Sequence, residues 1–87
     1  MKKENKSIIC SDYAQKVWNR VFSGYLIVIG RRSNYVPSLF FAKGTTLYSW
    51  NRELGEMRRD DMCREDFCQH IDNMISESFN ILEVKIR

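Results

Sequence analysis

At 87 residues and 10.4 kDa the chain has room for one domain and not for two. Its composition, 44% hydrophobic and 29% charged with one Pro and four Gly, is that of a folded globular protein and excludes a long flexible linker or a collagen-like repeat. The formal charge is only +3, and the longest apolar run, residues 25–29, is far below the roughly 18 residues that a membrane helix needs.

Residues 1–7 (MKKENKS) are polar and read as a flexible tail ahead of a single domain over 8–87. The apolar patch 8–10 is shorter than a signal-peptide core of roughly 7–15 residues and suits a short strand or a plug. Ser11 or Asp12 then reads as a helix N-cap, with Gln15 at capping-box spacing from Asp12. Ala14, Val17, Trp18, Val21 and Phe22 repeat as one helical stripe, and Ser23-Gly24 ends it, so a helix is expected over 11–22.

Residues 25–29 (YLIVI) are apolar on both faces and rich in β-branched side chains, which predicts a central strand. A turn follows over 30–34. Pro37 donates no ladder hydrogen bond, so it opens a second strand, 38–42, or lies on an edge. Lys43-Gly44 is a hairpin signal, and 45–51 is the third strand. With Gly44 in the left-handed position of a three-residue loop, Phe41 would face Thr45 and Leu39 would face Leu47. Leu39, Phe41 and Leu47 would then share one face, and Phe40, Tyr48 and Trp50 the other; a different loop length would mix the two sets.

Leu54-Gly55 reads as a turn, and 56–58 as a short returning strand. A second helix is expected from Asp61 or Met62, with Cys63, Phe67, Ile71, Met74, Ile75 and Ser78 on its inner stripe and Asn80 capping its far end in the left-handed conformation. Asp60, Asp61, Glu65 and Asp66 crowd its start, where the helix dipole favours carboxylates. Leu82, Val84 and Ile86 alternate with Glu83, Lys85 and Arg87 as a half-buried strand. The order αβββαβ predicts an α+β fold: a two-layer sandwich in which an antiparallel sheet of three to four strands carries both helices on one face.

In element order alone, the run over 11–79 resembles a double-stranded-RNA-binding domain. That family places basic residues at the start of its second helix, where this chain has Asp60, Asp61, Glu65 and Asp66, and it carries a glycine-rich loop with a His that is missing here. With 8–10 counted as a strand the order approaches an RNA-recognition layout, whose aromatic signature is not spelled by residues 42–48 (AKGTTLY).

Candidate chemistry is sparse. Three cysteines, Cys10, Cys63 and Cys68, are an odd number at irregular spacing, which favours free thiols in a reducing cytoplasm over a disulfide framework. With His70 they form a formal Cys₃His zinc set. On a helix, however, positions 63 and 68 diverge by about 140° and 68 and 70 by about 160°. Cys63 and His70 share a helical face but lie about 10 Å apart along it, too far for a nucleophile and its base. No cofactor, metal or enzymatic activity is expected.

Charge is distributed unevenly. Residues 1–59 hold 11 Lys+Arg against 4 Asp+Glu, and residues 60–78 hold 1 against 6. In an antiparallel meander the 30–34 turn and the 51–59 connection leave the same end of the sheet, which would gather Arg31, Arg32, Arg52, Arg58 and Arg59 near Tyr35 and Trp50. Phe40, Tyr48 and Trp50 would face away from the helices and add an aromatic docking surface. The sequence therefore predicts a small non-enzymatic protein-binding module in the cytoplasm (a regulator, adaptor or inhibitor) with a build shared by small inhibitors encoded by bacteria and their phages. A homodimer through the same face is left open, a membrane partner is not expected, and nucleic-acid binding by arginines beside stacking aromatics is the alternative.

Overall fold

Helix α1 (Asp12–Val21) begins where the sequence places its cap. Ser11 is extended at φ −64° and ψ 157°, and its Oγ accepts the Ala14 N–H at 3.0 Å. The structure, a computed structural model, describes residues 10–31 and 35–86; the tail at 1–7, the patch at 8–9 and residues 32–34 lie outside that set. After Gly24, in the left-handed region at φ 99°, the chain enters strand β1 (Tyr25–Arg31), followed by β2 (Tyr35–Lys43), β3 (Thr46–Asn51) and β4 (Glu56–Asp60). Helix α2 (Arg64–Ser76) and strand β5 (Asn80–Lys85) complete the fold.

All neighbouring strands are antiparallel, and their order is β4-β3-β2-β1-β5. The sheet thus has five strands, because both the short returning segment and the last strand join it, at opposite edges. The chain must cross from one edge to the other between β4 and β5. Four strand spacings amount to about 19 Å, and the 13 residues of α2 rise about 20 Å, so one helix spans the gap.

The core forms on the side of the sheet that α2 crosses. Ala14, Val17 and Val21 of α1, Phe67, Cys68 and Ile71 of α2, and Ile27, Ile29, Phe40 and Leu47 of the sheet are buried together with Phe79. Aromatic edges tie the layers: Trp18 meets Phe67 at 5.2 Å between ring centroids, and Phe67 meets Phe40 at 5.0 Å. Both helices therefore lie on one face, as the amphipathic stripes predict.

Several local expectations are corrected. The hairpin loop has two residues, Gly44 and Thr45, because Lys43 pairs with Thr46. Gly44, at φ 64°, occupies the first of the two positions, where a type II′ turn takes glycine. Helix α2 starts later, with exposed Cys63 as its N-cap, while Cys68 is buried in its place. The acidic cluster begins its work one turn earlier: Asp60 accepts the Met62 N–H at 2.9 Å and the Ser49 hydroxyl at 2.8 Å. Ser78, not Asn80, takes the left-handed conformation after α2, at φ 70°, and the Phe79 N–H returns to the Met74 carbonyl.

Candidate functional site

Directly opposed residues of an antiparallel ladder point to the same side, so the register fixes both faces. Phe40 pairs with Ile27 and Ser49, and Ala42 pairs with Leu47; these residues face the helices. Phe40 is 3% exposed and belongs to the core. Its expected place on the docking surface is thereby corrected: the two-residue loop shifts the pairing by an odd number and exchanges Phe40 for Phe41. Tyr48 and Trp50 do lie on the side away from the helices.

That open side is apolar across the whole sheet. Leu26 and Val28 of β1 oppose Val84 and Leu82 of β5. Val28 also opposes Leu39 of β2, and Phe41 opposes Tyr48 with the rings stacked at 5.1 Å and 10°. Trp50 opposes Met57 on β4. A bulge between Ile29 and Arg31 turns Val36 toward this side, where it lines one hollow with Leu39 and Trp50 and another with Val28, Gly30 and Leu82. No described element covers these side chains. Leu82 is 59% exposed and Trp50 38%.

Strand β5 carries the sharpest departure from expectation. Its alternation is present, but the stripe of Leu82 and Val84 points away from the core, and Glu83 points toward the helices. Glu83 is held there by Arg20 Nη1 at 2.7 Å and by the Tyr13 hydroxyl, which donates at 3.3 Å. Burial, reinforced by the adjacent Glu83 charge, holds the Tyr13 hydroxyl above its ordinary pKa.

The expected arginine patch is dispersed. Arg31 donates to the Glu77 carbonyl at 2.7 Å and lies over the Phe79 ring at 4.2 Å, so it caps the end of α2. Arg58 pairs with Glu56 at 2.9 Å on the helix side of the edge strand. Arg59 stands opposite Tyr48 on the open side, and Arg52 is exposed in the β3–β4 turn. Tyr35 pairs with Arg31 through the backbone, while its side chain and Arg32 lie outside the described set. Among the described strand positions of the open side there is no acidic residue. Its two charges, Lys43 and Arg59, sit at the hairpin end and on the edge strand.

Two polar features lie on the helix side. Ser38 Oγ and His70 Nε2 share a hydrogen bond of 3.0 Å, a pairing that brings a hydroxyl within reach of an imidazole. Asp60, the acid whose field reaches His70, has its oxygens occupied by Ser49 and Met62 and does not orient the ring. The pair instead joins α2 to β2 beside the edge of Phe40. Burial lowers the His70 pKa below 6.5, against the opposing field of Asp60. An unfolded chain would take up the proton first, so this contribution to stability is full above about pH 6.5 and is lost as pH falls through the folded value. The melting temperature should therefore drop as pH falls through about 6.5 and below, and His70→Gln should flatten that slope. An equal slope in both proteins would remove His70 as its source.

Cys68 has its thiol pKa pushed up to about 12 by burial first and then by the Cys10 thiol, and Cys10 Sγ lies 3.9 Å from the Glu65 carbonyl. Among the described residues no three of Cys, His, Asp and Glu converge as a metal site, and no helix is long and apolar enough to cross a membrane. Neither a protein-family model nor a curated protein nor a solved structure matches this chain.

Proposed function

We propose that this chain is a small non-enzymatic protein-binding module of the cytoplasm, a regulator, adaptor or inhibitor, that docks through the open face of its sheet. The observation that carries the reading is the outward turn of Leu82 and Val84, which joins them to Val28, Leu39, Phe41, Tyr48 and Trp50 in one apolar surface. Isolated exposed hydrophobics need no explanation, but a contiguous apolar surface over five strands marks an interaction site. Arg59 and Lys43 supply a basic margin rather than a basic patch. Nucleic acid fits less well, because single-strand binding needs arginines gathered beside stacking rings, and Arg31 and Arg58 are engaged within the fold.

The paired substitution Tyr48→Ala with Trp50→Ala tests this. Affinity for a protein recovered with the wild type and identified by mass spectrometry should fall at least tenfold in the paired variant, with the melting transition nearly unchanged. Retained affinity would reject the face. Binding to RNA or DNA alone, weakening steeply with salt, would favour the alternative.

A further inference from the structure

We infer that the partner covering the open face is a second copy of this chain, packed sheet against sheet about a two-fold axis parallel to the strands. The inference rests on the reading of this face as a protein-docking surface and names its occupant.

The two halves of the face are complementary. Phe41, Tyr48 and Trp50 put the bulky rings on β2 and β3, whereas β1 and β5 carry Leu26, Val28, Leu82 and Val84, with the side-chain-free Gly30 next beyond Val28 at the turn end. Sheet order places β2 in the middle. Rotation about an axis along β2 lays β3 over the partner's β1 and β4 over the partner's β5, so Tyr48 and Trp50 of each copy face the other's aliphatic half, while Phe41, on the axis, meets the partner's Phe41. The rotation also preserves height along the strands. Trp50 is at the turn end of β3, and the hollow lined by Val28, Gly30, Val36 and Leu82 is at the same end of β1 and β5. Trp50 of each copy thereby meets the hollow of the other, the self-complementary pattern that a two-fold interface requires.

Area and charge agree. Five strands about 4.8 Å apart and about 20 Å long present roughly 500 Å² of flat surface per copy. Two copies then remove about 1,000 Å² before side-chain relief is counted, the threshold of a specific interface. The axis carries Arg59 to the partner's opposite edge, so the two Arg59 side chains are separated by about the width of the sheet rather than stacked. Lys43 of β2 comes to the axis and meets its counterpart, but at the exposed hairpin end of the contact, so the centre holds no described charge.

Sedimentation equilibrium of the full chain tests the inference with Trp50→Glu, Leu82→Arg and their mixture, each checked for folding by circular dichroism. The wild type should sediment at twice the chain mass, and each variant at the single mass. The mixture should recover the double mass, because Glu at 50 in one copy then meets Arg at 82 in the other. If a variant fails to fold, hydroxyl-radical footprinting of the wild type at high and low concentration decides: Trp50 and Leu82 should be protected only at high concentration. A dimer indifferent to both substitutions would overturn this interface. A wild-type monomer with Trp50 and Leu82 fully reactive would overturn the second copy but leave the docking face standing. A monomer with both residues protected would overturn the docking face as well.

Discussion

Phe40→Ala is expected to cost about 3–5 kcal/mol of folding stability. A chain of this length holds roughly 4–13 kcal/mol at 0.05–0.15 kcal/mol per residue, so the loss takes between about a quarter and all of its stability. The ring is 3% exposed, packed against Phe67 at 5.0 Å and His70 at 5.7 Å and opposite Ile27 and Ser49 in the sheet, so its removal leaves a cavity in the core. Loss of the ring also removes the apolar edge against which His70 is desolvated. Trp50→Ala, on the opposite face of the sheet, should change stability by no more than about 1 kcal/mol at dilution. Urea unfolding of the two variants checks the face assignment directly. Similar losses in both would mean that the two rings share one environment, contrary to the register.

The contrast between these rings shows where the sequence was readable. Helix α1 was legible down to its cap because an amphipathic stripe has one apolar side and Ser11 precedes it. The antiparallel meander was legible from Gly24, Gly44 and Gly55, which take positive φ between or before strands. Parity was not legible. A strand buried on one face declares its inner residues by alternation, but here Leu26 and Val28 are as apolar as Ile27 and Ile29, and Leu39 and Phe41 match Phe40. Either register of the hairpin satisfies such a pattern, so a loop of two residues instead of three decided the outcome. In β5 the alternation was clear and still misleading, since a salt bridge from Arg20 draws Glu83 under the helices and sends Leu82 and Val84 outward. That inversion leaves an apolar outer face, and it appears only once Arg20 and Glu83, 63 residues apart, are seen in contact. Arg31 leaves the expected arginine patch for a related reason: it finds the carbonyl end of α2, an acceptor that no local spacing reveals.

Asp72→Ala should destabilise the fold by about 2 kcal/mol, although its hydrogen bonds are exposed to solvent. Its carboxylate accepts the Ser11 backbone N–H at 2.9 Å through Oδ2 and the Ser11 hydroxyl at 2.6 Å through Oδ1. The same hydroxyl accepts the Ala14 N–H, so a single chain of hydrogen bonds runs from α2 through Ser11 into the first turn of α1. Without Asp72 the hydroxyl is no longer aimed, the cap weakens, and the negative charge that favours the N-terminal end of α1 is lost. Solvent reaches these groups, which holds the effect near 2 kcal/mol rather than at the larger value of a buried charged network. Ser11→Ala alone should cost about 1 kcal/mol, the usual value of an N-cap. If the two residues act as one device, the double variant will lose less than the sum of the singles, with a coupling of about 0.5–1.5 kcal/mol. Urea unfolding of the four proteins measures it. Simple additivity would mean that α1 is capped by Ser11 without help from α2, and the register between the two helices would then rest on Trp18, Phe67, the buried stripe and the hydrogen bond that Arg64 donates to Gln15.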